Sequence, residues 1–253
     1  RIARTIHTGG SSTYIVRPDG AGDFPTIQAA IAAAIDGDII ELTDGVFLGE
    51  GNRDVNFLGK AITVRSQSGN PETCIVDCEG SQSEPHRGFE YSTGEASSSV
   101  LRGVTIRNAY NHQGAGAACI DGASPWFDTC IFEGNTASGS GIGAGAVWCQ
   151  GSPHFTACAF VENHAYRGGA VSCEAPSAIV FENCQFSGNT ADLHGGAVYS
   201  HEAPVFSNCQ FYQNSAQGQG GAVLASSAQF ERCTFHGNSA GGIGGALDFG
   251  GGS

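Results

Sequence analysis

Methionine is absent from the sequence, and positive charge is scarce: 253 residues carry 11 Lys and Arg against 24 Asp and Glu, a formal net charge of −13. The imbalance sharpens along the chain. Up to residue 110 there are 14 acids and 9 bases; beyond it there are 10 acids and only two bases, Arg167 and Arg232. A surface so poor in cations cannot neutralise a phosphate backbone, which excludes nucleic acid as a partner. No apolar run approaches the roughly 18 residues that a membrane-spanning helix needs. No Cys-x-x-Cys is present and no two histidines have a tight metal-ligand spacing, so no metal or other cofactor is expected. A chain that lacks methionine and begins at Arg1 reads as processed, with a secretory signal peptide removed.

Glycine, by contrast, is abundant. The 39 glycines are about twice the usual share. Each glycine inside a helix costs about 1 kcal/mol relative to alanine, so the composition points to a β-rich, turn-rich fold. The 40% apolar content, with 15 Phe, suffices for a core and excludes a disordered chain.

The second half repeats itself. Cys-x-Phe-x-x-Asn occurs five times, at Cys130/Phe132/Asn135, Cys158/Phe160/Asn163, Cys184/Phe186/Asn189, Cys209/Phe211/Asn214 and Cys233/Phe235/Asn238. Successive asparagines are 28, 26, 25 and 24 residues apart. Three residues before each of these cysteines stands another phenylalanine: Phe127, Phe155, Phe181, Phe206 and Phe230. A variable polar loop then leads to Gly-Ala and an aliphatic residue, at Gly145, Gly169, Gly196, Gly221 and Gly245, with an imperfect copy at Gly116.

This spacing dictates a geometry. Cys and Phe two residues apart fall on one face of a strand, and Val147/Cys149, Val171/Cys173, Val198/Ser200, Val223/Ala225 and Leu247/Phe249 all face inward. Strands this short, broken by Gly, Asn or Ser-Pro, cannot pair within a repeat. They pair with the same strand of the next repeat, giving a parallel solenoid of about nine coils stacked about 4.8 Å apart. The Asn column sits at a turn, where Asn tolerates the left-handed conformation and its amide bonds the amides above and below. The fold class expected is all-β, a single-stranded parallel β-helix.

The alternation of Phe186-Ser-Gly-Asn189 with Gly195-Gly-Ala-Val198, and of Phe211-Tyr-Gln-Asn214 with Gly220-Gly-Ala-Val223, resembles the repeat of the polymorphic outer-membrane proteins. The wider class that it resembles is the right-handed parallel β-helix, or pectin-lyase-like fold. The stretch Tyr14-Ile-Val-Arg-Pro-Asp-Gly-Ala-Gly-Asp23-Phe-Pro-Thr-Ile-Gln28-Ala-Ala-Ile31 is similar to an opening shared with pectinesterases. Its residues suit an end cap: Thr26 as helix N-cap, then Ile27, Ile31 and Ile35 as one apolar stripe. Ile39–Leu42 follows as the first coil strand, with Ala61–Val64, Cys74–Val76 and Val104–Ile106 in later, less regular coils. The expected organisation is an N-terminal arm over 1–13 and one β-helix domain over 14–253. Within that domain, 14–48 is the cap and first coil, 49–110 holds irregular coils and 111–253 holds the regular repeats.

The fold alone does not name a function. For pectinesterases, the resemblance implies paired aspartates with glutamines and an arginine on one sheet, and none of the glutamine-bearing motifs is present. Gly45-Val-Phe-Leu-Gly-Glu50 is only loosely similar to that family's Gly-x-Tyr-x-Glu, and Asp248-Phe-Gly250 resembles its Asp-Phe motif without a coil beyond it. Lyases need a calcium-binding carboxylate cluster with a Lys or Arg base, where this chain has almost no cations. No catalytic residue is assigned. The sequence favours a secreted or surface structural or adhesive protein over a carbohydrate-active one.

Two outward patches remain. Trp148 and Gln150, Ser172 and Glu174, and Tyr199 and His201 occupy equivalent outward positions in neighbouring coils. Trp148, Glu174, Tyr199 and His201 are the carbohydrate-binding candidates, and an ordinary sheet surface is the plainer alternative. In the variable loops, Tyr166 and Arg167 lie one coil from Asp192 and His194, as an acid–base pair or a surface ion pair, while His154, His164 and His236 map as isolated. The five column cysteines fit a buried thiol ladder, being odd in number. Cys149 with Cys173, and Cys74 or Cys78, are the better disulfide candidates. Residues 1–8 alternate as a strand would, and the last repeat is followed only by Gly-Gly-Gly-Ser253. That combination raises head-to-tail self-association through strand addition, or else a chain cut from a longer protein or ending in a linker.

Overall fold

The computed structural model describes residues 10–112, 114–141, 143–174 and 178–249. Each regular repeat is one coil, and the coils stack into four main parallel sheets plus a two-stranded one. The first sheet has nine strands, from Thr13–Val16 through Ile39–Leu42 to Gln229–Glu231, and carries the Phe127 column in its later coils. The second has eight, from Gly45–Phe47 to Thr234–His236, and carries the Phe132 column. The third has six, from Tyr110–Asn111 to Ser239–Ala240, and follows the Asn column. The fourth has eight, from Val55–Asn56 to Leu247–Asp248, and follows the Gly-Ala corners. Nine passes through the first sheet make about nine coils, as the repeat spacing predicts.

Register places like on like. Phe132 pairs with Phe160, Phe160 with Phe186, and Phe186 with Phe211. Rings in one column stack nearly parallel, Phe160 on Phe186 at 4.7 Å and 3°. Rings of the two columns meet edge to face, Phe181 against Phe186 at 5.2 Å and 76°. Each ring so satisfies its quadrupole twice over while removing a large apolar surface from water. Both columns are fully buried through Phe206 and Phe211 and only partly at Phe230 and Phe235, as is Leu247 at the end of the fourth sheet. Phe249, read as inward, is half exposed.

Two local expectations need correction. The column cysteines are buried, or half-buried at Cys233, but they do not sit on strands. They occupy the bend between the first and second sheets, directly after a residue with left-handed backbone: Thr129, Ala157, Asn183, Asn208 or Arg232. The left-handed residue at the next bend likewise precedes the ladder Asn and is Gly134, Glu162, Gly188, Gln213 or Gly237. In all but the last coil these bends keep their N–H bonded to the next coil, as Ala157 N is to the Glu182 carbonyl at 2.8 Å.

The chain also enters the solenoid earlier than expected. Thr13–Val16 pairs in parallel with Ile39–Leu42, so Thr13 belongs to the body, and Ile39–Leu42 is the second strand of its sheet. Residues 1–8 of the expected arm lie outside the described residues. The irregular strands are Thr63–Ser66, Cys74–Asp77 and Thr105–Arg107.

The cap helix spans Ile27–Ala33, with Thr26 Oγ1 accepting from Ala29 N at 3.2 Å. Ile27 and Ile31 are buried; Ile35 lies beyond the helix end and is exposed, so the stripe is shorter than read. Lys60 closes the helix. Its Nζ donates to the carbonyls of Ile31, Ala32 and Ala34 at 2.6, 2.9 and 2.8 Å, and burial pulls its pKa below the usual lysine value. Three charge-assisted bonds at a C-terminus, where the helix dipole also favours a cation, are together worth about 1–2 kcal/mol. Lys60→Met is therefore expected to raise amide exchange in Ile27–Ala33 about tenfold, read by hydrogen-exchange mass spectrometry, with the Phe columns unchanged. Equal protection of that helix in both proteins would contradict this role.

Candidate functional site

In the fourth sheet, strand alternation turns Val147, Cys149, Val171, Cys173 and Val198 inward and Trp148, Ser172 and Tyr199 outward. Register extends the outward positions into one row: Cys119, Trp148, Ser172, Tyr199, Leu224, Asp248. Outward here does not mean exposed. Ser172 is 1% exposed and Tyr199 7%.

The cover comes from the variable loops. His164–Arg167 and Thr190–His194 run longer than their neighbours in the third sheet and then double back at Gly168 and Gly195. Gly195 has φ +65, and a Cβ there would collide with the Val198 carbonyl, so the loop lies hard against the strand. The turn lays Arg167 on Tyr199, guanidinium carbon 5.3 Å from the ring centroid, and sets His194 roughly parallel to that ring at 6.5 Å. Arg167 also lies 5.8 Å from the Tyr166 ring. This corrects the expected loop pairing. Arg167 and His194 are register partners, but Asp192 turns to His164, at 3.6 Å. His154 and His164 are not isolated either: His154 lies 3.3 Å from Glu182, and His164 Nδ1 is 3.0 Å from Thr190 Oγ1. His236 lies against the Tyr212 ring.

Three of the four sugar-binding candidates form one unit. Tyr199 Oη and His201 Nε2 are 3.2 Å apart, and His201 Nε2 lies 3.8 Å from Glu174 Oε2. Trp148 is in the same row, two coils away across Ser172. Burial raises the pKa of Tyr199, with the Glu174 charge adding to it against Arg167, so the phenol is neutral. Burial first and Arg167 second lower that of His194, whose Nδ1 accepts the Gln219 N–H at 3.2 Å.

The polar atoms without partners are informative. Trp148 Nε1, Ser172 Oγ, Arg167 Nε and Asp248 Oδ2 are all buried and have no hydrogen-bond partner among the described residues. A buried donor or acceptor left unpaired costs about 1–3 kcal/mol. Three of these four belong to the outward row and the fourth sits on Tyr199; Tyr91 Oη, in the core, is unpartnered as well, and Arg102 Nε and His154 Nε2 lie without a hydrogen bond beside Asp128 and Glu182. The sequence places Arg167 in a loop acid–base or surface ion pair with Asp192 and His194; its lodging on Tyr199 depends on loops of unequal length, which carry no spacing signal.

A second cluster was not read from the sequence. A cleft of about 490 Å³ near the cap is lined by Gln28, Glu50, Gly51, Arg53, Asp54 and His86. Its charges are largely paired off. His86 Nδ1 is 2.7 Å from Asp54 Oδ2, Arg53 bonds Glu79 at 2.8 Å, and Gln28 holds the Asn56 backbone. Gln28 lies in the cap helix and the others in the irregular coils, where no repeat marks them.

The comparisons with known proteins bear on the fold. A family model described as a right handed beta helix region matches residues 93–248, more than half of the chain. The chain belongs to that family. No curated protein matches it in sequence. Among solved structures, a rhamnogalacturonan lyase aligns with this β-helix at 15% identity over 89% of the chain, with a TM-score of 0.57. The β-helix spans 62% of that lyase's length. Pectate lyase Pel9A aligns at 15% identity, covering 95% of this chain and 79% of its own, with a TM-score of 0.49. Pectin methylesterase from carrot aligns at 13% identity over 87% and 73%, with a TM-score of 0.47. At such identities the likeness concerns the fold alone. No helix among the described residues is long and apolar enough to cross a membrane.

Proposed function

We propose that this β-helix is a non-catalytic, extracellular adhesive protein that binds a carbohydrate chain along the outward row of its fourth sheet. The observation that carries the reading is the row itself, with Trp148 and Tyr199 two coils apart and His201 and Glu174 lying beside Tyr199. Trp148 and Tyr199 flank Ser172 in that row, and the half-exposed His201 offers a polar group beside Tyr199. Sugar rings combine an apolar face, which stacks on indole or phenol, with hydroxyls that both donate and accept. Coils spaced about 4.8 Å put Trp148 and Tyr199 about 9.6 Å apart, about two sugar units. The resemblance of the Phe-x-x-Asn and Gly-Gly-Ala repeats to those of polymorphic outer-membrane proteins supports a surface location and an adhesive role.

A glycan array followed by titration calorimetry tests this. Trp148→Ala is expected to weaken binding of the selected glycan at least tenfold, since one aromatic–sugar stack is worth about 1.5 kcal/mol. Gln229→Ala, on the first sheet, is expected to leave it unchanged. An array without any binder, or equal affinity in Trp148→Ala, would overturn the binding surface. Turnover of a polysaccharide by the unmodified protein would overturn the non-catalytic part.

A further inference from the structure

All ten cysteines are free thiols in this structure, yet they are not equivalent. Each column sulfur sits against two main-chain carbonyls: Cys158 Sγ against Phe127 and Thr156 at 3.5 and 3.4 Å, Cys184 Sγ against Phe155 and Glu182 at 3.5 and 3.4 Å. Cys130, Cys209 and Cys233 repeat this arrangement. The bend thus gives every column S–H a carbonyl acceptor, although column sulfurs such as those of Cys158 and Cys184 also lie beside one another.

Cys149 and Cys173 differ. They are register partners on adjacent strands of the fourth sheet, both fully buried. Their sulfurs are 3.3 Å apart, and among the described residues neither sulfur has a carbonyl acceptor. Above and below them in the inward column stand Ser200 and Ile120, so no third sulfur competes. Adjacent parallel strands hold Cα atoms about 4.8 Å apart, inside the range of about 4.4–6.8 Å that a disulfide spans. A small rotation of the two side chains closes the remaining gap.

We propose that Cys149 and Cys173 form an intrachain disulfide when the chain folds in the presence of a small-molecule disulfide such as oxidised glutathione, while the five column cysteines remain thiols. One cysteine thiolate attacks the glutathione S–S bond and releases one glutathione thiol. The second attacks the mixed disulfide and releases the other. The protein pair loses two protons and two electrons, one S–S bond forms, and the oxidant is reduced to two thiols. Because both sulfurs are buried, exchange precedes the docking of Val171–Cys173 onto Val147–Gln150. The bond then ties two neighbouring coils across 24 residues of chain.

The test is to refold the reduced protein with and without a glutathione redox couple, block free thiols under denaturing conditions and map the peptides by mass. With the couple, the expected result is an intact mass before blocking lower by about 2 Da, eight blocked cysteines, one peptide joining Cys149 to Cys173, and a urea midpoint higher by on the order of 1 M. Ten blocked cysteines, or a disulfide within the Cys130–Cys233 column, would overturn the proposal. The double variant Cys149→Ala/Cys173→Ala is expected to lose the 2 Da difference; its persistence would assign the bond to another pair and overturn the proposal equally.

Discussion

Asn189→Ala, at one of the fully buried inner rungs of the asparagine column, is expected to cost about 4 kcal/mol of stability. Asn189 is fully buried, and its amide is saturated. Nδ2 donates to the Phe160 carbonyl and to Asn214 Oδ1, both at 2.9 Å. Oδ1 accepts from Asn163 Nδ2 at 3.0 Å and from Asn163 N at 3.1 Å. Alanine keeps the backbone bond from Asn189 N to Asn214 Oδ1 and removes the other four. It leaves the Asn163 N–H, one Asn163 amide hydrogen and the Phe160 carbonyl without these partners, where no water reaches. At about 1–3 kcal/mol per unsatisfied group, partly relaxed, the sum is about 4 kcal/mol. Asn238, the last rung, is only partly buried, and water can replace much of what it loses. Asn238→Ala is therefore expected to cost about 1–2 kcal/mol. Urea denaturation of both variants reads the contrast. Losses that agree within about 1 kcal/mol would mean that the column is a row of independent turns and not a buried network.

The ladder was legible in the sequence because a solenoid forces equal residues to equal heights. Once Asn135, Asn163, Asn189, Asn214 and Asn238 recur every 24–28 residues, stacking of their amides follows. The same logic recovered both Phe columns and the register of Val147, Val171, Val198 and Val223. The left-handed bends were misplaced onto Asn because the residues that adopt them form no column. Thr129, Ala157, Asn183, Asn208 and Arg232 share a conformation and nothing chemical. What selects that conformation is the run of coil-to-coil N–H bonds, a property of the neighbours. The first hundred residues were read loosely for a related reason. Thr63–Ser66 lies two residues beyond the expected strand, since hydrophobic alternation alone leaves its ends undefined.

The candidate site divides along the same line. Alternation turned Trp148, Ser172 and Tyr199 outward, as the fourth sheet has them. It could not tell that Ser172 is buried, because burial there comes from loops folding over the sheet. Arg167 reaches Tyr199, and Asp192 is drawn to His164, through loops whose lengths differ from coil to coil. Single-residue spacing holds information about faces; enclosure depends on several segments at once.

Gly196→Ala should abolish the folded state or cost more than about 4 kcal/mol, although it adds one methyl group to a corner where alanine already abounds. The reason is stacking again, now of backbone on backbone. A Cβ at Gly196 would collide with the Gly221 carbonyl of the next coil and lie 2.6 Å from Ser215 N. Gly145, Gly169 and Gly221 face the same obstruction, each pointing the missing Cβ at the carbonyl of the next glycine in the column. Relief would need the neighbouring coil to retreat by about 1 Å, stretching Gly196 N to Gly220 O, now 3.0 Å, and Ala197 N to Ala222 O, now 2.8 Å. Because coils touch only their neighbours, that strain cannot be spread over the solenoid. Gly141 is the matched control: it is exposed, with nothing near its missing Cβ, and Gly141→Ala is expected to change stability by under about 0.5 kcal/mol or to raise it slightly. Soluble yield and thermal melts followed by far-ultraviolet circular dichroism separate the two. A Gly196→Ala variant that melts with Gly141→Ala would show that the corner yields. A corner that yields would also free the loops it anchors, and with them the seat of Arg167 on Tyr199.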